Sequence, residues 1–159
     1  MDSFHFLPGI RSPQSTVPDE RSRFGGVQRI TVDRANTVLY CDEWAATVAF
    51  YRELLGFDVA HETDWFVEFR VTTGAFLSIA DARRATIDAV GGKGVTLTLH
   101  TDALGETRAL LDGRGVTTTP ITRRWGADVF YCHDPEGHRI EFWSDASPAG
   151  QASPTLARS

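Results

Sequence analysis

A strand, a helix and three further strands are written twice along this chain, with punctuation that recurs at a spacing of about 60 residues. Gly56 and Gly115 follow the two helical stretches, and Gly74 and Gly137 stand in the turns of the two closing hairpins. The order is that of a duplicated βαβββ unit, an α+β arrangement.

Each element is read from its own period. Asn36 to Cys41 alternates as a strand. Trp44, Val48, Tyr51 and Leu55 then recur at helical spacing, Asp42 or Glu43 supplies an acidic first turn, and Gly56 ends the helix. A short strand around Phe57 to His61 leads into two apolar runs, Trp65 to Val71 and Ala75 to Ala80, joined by Thr72-Thr73-Gly74. In the second copy Val95 to Thr101 is a strand, Asp102 to Leu111 a helix and Val116 to Thr119 a short strand. Val129 to Tyr131 and Arg139 to Trp143 form a hairpin about the turn Asp134-Pro135-Glu136-Gly137.

With 159 residues, 42% hydrophobic and 23% charged, the chain fits one globular domain over residues 29 to 145, with modules at about 35–84 and 94–145. Residues 1–28 and 146–159, rich in Pro, Ser, Arg and Gly, read as a mobile arm and a flexible tail. The formal net charge of -5, without a long basic run, argues against a nucleic-acid partner. The pairs Arg83-Arg84 and Arg123-Arg124 are either solvated surface or a grip for an acidic ligand. No run approaches the roughly 20 apolar residues that cross a bilayer, and no signal-like stretch opens the chain. Cys41 and Cys132 stand alone, which points to a reducing cytoplasm and to packing roles.

Two segments carry a resemblance. VLYCDEWAATVAFYRELLGFDV, residues 38 to 59, resembles the first strand and helix of the glyoxalase, bleomycin-resistance and extradiol dioxygenase proteins, the vicinal oxygen chelate superfamily. WGADVFYCHDPEGHRIEFW, residues 125 to 143, resembles their closing hairpin. The resemblance covers residues of about 35 to 145 and implies a curled mixed sheet around one cavity for a small organic molecule. Metal-dependent members place one ligand on the first and one on the last strand of each module. Those positions fall on Asn36 and Thr96, and on Ser78 and Glu141, where the family's metalloenzymes need imidazole or carboxylate. Glu141 alone is a competent donor, a poor set for zinc, iron or nickel. The resemblance therefore implies no cofactor, with a divalent metal retained in an alternative with shifted ligands, such as His100, His133 and Glu141.

If Asn36 and Thr96 face the cavity, alternation turns Val38, Tyr40, Thr98 and His100 the same way, and sets Arg139 and Trp143 beside Glu141. The candidate ligand-binding residues are Asn36, Tyr40, Ser78, Thr96, His100, Trp125, Arg139 and Trp143, with Trp125 at the rim. Glu141 has three readings: an internal pair with Arg139 or Thr96, a ligand grip or general base, or a metal ligand. His133 and His138 are expected to face solvent, and Trp44 to pack in the core. The leading expectation is a metal-independent binding protein of the bleomycin-resistance kind, sequestering an aromatic or amphipathic compound. The alternative is an enzyme, a lyase, isomerase or extradiol-type dioxygenase, with a divergent metal site or with Glu141 as base. A homodimer is expected, as in related proteins.

Overall fold

The computed structural model describes residues 30–146; the expected arm over residues 1–28 and nearly all of the expected tail lie outside the described residues. The first copy of the unit comprises β1 (Ala35–Cys41), α1 (Trp44–Ala49) widening into a π turn (Phe50–Leu54), β2 (Asp58–Glu62), β3 (Phe66–Arg70) and β4 (Ala75–Asp81). A 3₁₀ turn (Ala82–Arg84) follows, and then the second copy: β5 (Thr96–His100), α2 (Leu104–Gly113), β6 (Thr122–Arg124), β7 (Ala127–His133) and β8 (Arg139–Asp145). The duplicated α+β order is as expected, and the strands divide between two four-stranded mixed sheets, β1-β4-β3-β2 and β5-β8-β7-β6. In each, the first strand runs parallel to the last and the remaining pairs are antiparallel.

Alternation decides which face of each sheet is buried. Leu39, Cys41, Val67, Phe69, Leu77 and Ile79 bury one face of the first sheet, and Phe130, Cys132, Ile140 and Phe142 one face of the second. These faces join Val48, Phe50 and Tyr51 of the first helix, and Leu104, Leu111 and Val116 around the second, in one cluster. Each large side chain fully buried there contributes roughly 1.5–3 kcal/mol. Both cysteines belong to this cluster as free thiols. Trp44 packs against it, its indole N–H donating to Ile79 O at 3.1 Å. The opposite face of each sheet, the inner face of the expected cup, carries Asn36, Tyr40 and Ser78 in one and Thr96, His100 and Glu141 in the other, and is turned away from the core.

The turn Asp134-Pro135-Glu136-Gly137 ties the second module to the first helix. Asp134 Oδ1 accepts the N–H groups of Gly137 (2.9 Å) and His138 (2.8 Å), and its Oδ2 accepts the Tyr51 hydroxyl at 2.9 Å. The His138 ring Nδ1 lies 2.9 Å from the same oxygen. His138 is thus 4% exposed rather than facing solvent, because its imidazole completes the bonding of a buried carboxyl group. Glu136 Oε2 accepts the Glu43 N–H at 2.9 Å, so the acid at the start of α1 comes from the other module, while Glu43 caps nothing with its own side chain.

The short strand expected at Val116 to Thr119 is displaced. Pro120 has no N–H to give a ladder, and pairing starts beyond it, with Thr122 opposite Val129. Thr119 retains one backbone bond, donating to Tyr131 O at 2.9 Å. Among the described residues no helix is long and apolar enough to cross a membrane.

Candidate functional site

On the inner face of the first sheet, register brings three polar side chains to the middle. Val38, Ser78 and Glu68 lie in one row across β1, β4 and β3. Asn36 Nδ2 donates to Ser78 Oγ (2.9 Å) and to Glu68 Oε2 (2.8 Å), and the Ser78 hydroxyl donates back to Asn36 Oδ1 (3.1 Å). Glu68, with its side chain 12% exposed, also holds Arg34, whose guanidinium stacks on the Phe76 ring at 3.8 Å. Arg70 approaches that ring at 5.5 Å. Sequence reasoning missed Glu68. The signal for it is an acid in the otherwise apolar alternation Phe66-Val67-Glu68-Phe69, on the side opposite Val67 and Phe69.

The second sheet repeats the geometry with other chemistry. Thr98, Glu141 and Tyr131 form the row equivalent to Val38, Ser78 and Glu68. Arg139 Nε donates to Thr96 Oγ1 at 3.2 Å and its guanidinium lies 5.0 Å from the Tyr131 ring. Glu141 is half-buried beside them, and among the described residues its carboxyl group has no hydrogen-bond or ion-pair partner. The internal pair considered for Glu141 therefore forms between Arg139 and Thr96 instead. His100 meets the Trp143 ring edge-on, with centroids 4.5 Å apart, and its Nε2 is 3.9 Å from Asp102.

The structure thus gathers the four positions carried over from the family in two groups, Asn36 with Ser78 on one sheet, and Thr96 and Glu141 on the other. As a metal site they fit badly. Asn36 and Ser78 bond to each other and Asn36 also to Glu68, and among the described residues no three His, Cys, Asp or Glu side chains gather as ligands. The shifted set of His100, His133 and Glu141 is spread out: His100 lies opposite Trp143 and His133 opposite Arg139, four residues apart on β8 or about 13 Å.

Two cavities flank these faces. One of about 270 Å³ lies between β1 and β5, lined by Thr37, Phe57, Phe76 and Leu77 on one side and by Thr96 to Leu99 on the other. The second, of about 250 Å³, lies on the first sheet's inner face at the Tyr40 end, against Trp65 and Phe66. Thr96 lines the former and Tyr40 the latter, whereas Asn36, Ser78, His100, Glu141 and Trp143 are in neither lining. Trp125 is 89% exposed at the tip of the β6–β7 hairpin, with φ of 50°, and belongs to neither cavity.

The model of the Glyoxalase/Bleomycin resistance protein/Dioxygenase superfamily matches residues 33–142, and the chain belongs to that superfamily. Among solved structures, it is similar to a glyoxalase/bleomycin resistance protein/dioxygenase from Nocardioides, at 22% identity and a TM-score of 0.64, over 82% of this chain and 95% of that one. It is also similar to TnmS3, an antibiotic binding protein from Streptomyces sp. CB03234 (19% identity, TM-score 0.62, 76% of this chain and 100% of that one). A third likeness is to lactoylglutathione lyase from Agrobacterium tumefaciens (19% identity, TM-score 0.58, 69% and 90%). Likeness at these identities establishes the fold. Comparison with curated proteins gives no match.

Proposed function

We propose that the protein binds or sequesters a small aromatic or amphipathic compound, without a metal. One observation carries this reading: the inner faces present Tyr40, Phe66, Tyr131 and Trp143, all half-buried, and at three of the four positions where metal donors would stand, Asn36, Ser78 and Thr96 are neutral groups already bonded to neighbours. The likeness to TnmS3, an antibiotic binding protein of the same fold, supports a binding role. In this reading the chain works in a reducing cytoplasm, where two unpaired buried thiols persist, and pairs with a second copy.

Titration of the full chain with a panel of aromatic metabolites and drugs, followed by tryptophan fluorescence, is expected to show saturable quenching by at least one compound. Protein purified without chelator is expected to carry less than stoichiometric metal. Quenching by none of the panel, or stoichiometric iron, zinc or nickel lost in Glu141→Gln, would overturn the proposal. A second reading is favoured by the half-buried and unpartnered Glu141, a group placed to take a proton from a bound compound. It predicts turnover that Glu141→Gln abolishes while binding persists.

A further inference from the structure

Resting on that binding role, we propose that the ligand's ring is held at one end of the first sheet's inner face, between Tyr40 and Phe66, and that the ligand carries an acidic substituent met by Arg84. Tyr40, Ala80 and Phe66 lie opposite one another across β1, β4 and β3. An alanine between two aromatic side chains leaves a slot two strand spacings wide, about 9–10 Å between the outer strands. Ala80 is buried as its floor. The cavity there, about 250 Å³, is lined by Tyr40, Trp65, Phe66, Ala80 and Arg84. An apolar cavity of about 150 Å³ accommodates benzene, so this space matches one or two fused rings.

The repeat supplies a control within the molecule. The equivalent row of the second sheet is His100, Trp143 and Val129, and there the indole of Trp143 stands where the first sheet has the methyl group of Ala80. Its slot is filled from within, with His100 and the indole packed edge to face. The first module keeps the space open.

The walls are fixed before any ligand arrives. The Thr63 hydroxyl accepts the Phe66 N–H at 3.1 Å, and Asp81 N–H donates to Trp65 O at 2.8 Å. Trp65 and Phe66 meet at 57° with centroids 5.8 Å apart, and both line the cavity. The Tyr40 hydroxyl has no partner among the described residues. Arg84, on the 3₁₀ turn just after β4, is the cation in the lining. Its partner is Asp64, at 2.8 Å, and both side chains are well exposed. Such a surface pair is worth little and exchanges readily, whereas a ligand carboxylate beside apolar walls gains a bidentate, charge-assisted contact.

The test is calorimetric titration of the full chain with 2-naphthoate and with its neutral amide. The acid is expected to bind about tenfold tighter. Arg84→Gln is expected to erase that preference while leaving amide binding, Asp64→Asn to raise acid affinity several-fold, and Ala80→Leu to abolish binding of both. Arg84 and Asp64 are exposed, so their variants report on the ligand even if Ala80→Leu fails to fold. Equal binding of acid and amide, a preference that survives Arg84→Gln, or no binding of either while another panel compound quenches, overturns this inference and leaves the binding role standing. Failure of every aromatic compound overturns both.

Discussion

Asp134 is buried, and its two oxygens take bonds from the Gly137 and His138 N–H groups and the Tyr51 hydroxyl, beside the His138 ring. A buried carboxyl group deprived of such donors costs several kcal/mol. Tyr51→Phe removes one donor and keeps the packed ring, so it is expected to lower stability by about 1.5–3 kcal/mol. The check is a lower urea midpoint at unchanged slope. Burial, and then the charge of Asp134, push the Tyr51 phenol up, so it stays the donor. From the sequence Asp134 is a turn residue and Tyr51 a helix core position; that they bond to each other across 83 positions is a matter of packing. Asn36 and Ser78 are different. Alternation alone puts both on the inner face, yet Glu68 joins them only through the register of β3 on β4.

Among the elements, the connection leading into β5 is held by glycine for a reason other than flexibility. Gly92 is buried with φ of +70°, and a Cβ there would lie 2.1 Å from the Gly137 carbonyl carbon and 2.3 Å from His138 N. That backbone belongs to the turn that ties the modules together, so it has no room to yield. Gly92→Ala is expected to cost about 3 kcal/mol or more, or to prevent folding. Gly94→Ala meets nothing within 4 Å and bears the strain of its φ of +78° alone, an expected cost of about 1 kcal/mol. Thermal melts of the two variants test the difference. The helix over Trp44 to Leu55 is legible because its apolar spacing is local, although its widening at Phe50–Leu54 is not. The displaced β6 shows the converse: the β-prone residues from Val116 to Thr119 form no strand, keeping only the Thr119 bonds to Tyr131, because Pro120 withholds the donor that the ladder needs.

At the scale of the whole molecule, the shared core sets how the fold responds to alkali. Burial, followed by the charges of Glu136 and Asp134, pushes the Cys41 thiol from an ordinary 9.0 up to about 12. Burial and Asp134 push Cys132 up to about 11. Unfolded thiols lose their protons above about pH 9 while the folded ones keep theirs, so protons favour the native state throughout that window. Stability is expected to be insensitive to these groups below about pH 9 and to fall as pH rises toward about 12, read as melting temperature against pH. A thiol reagent is expected to label both cysteines in denaturant and neither in the native protein.

The doubled unit, the strand and helix periods and the side of the sheet on which each residue falls are properties of neighbours in the chain, and they stand in the amino-acid order without any coordinates. Which carboxyl group caps the first helix, which tyrosine reaches Asp134, and why one aromatic row is open at Ala80 while its counterpart is closed by Trp143 depend on pairings between segments far apart in the chain. Those pairings are set by the register of strands and the burial of shared faces. Local pattern fixes the direction of a side chain, and only the assembled sheets fix what it meets.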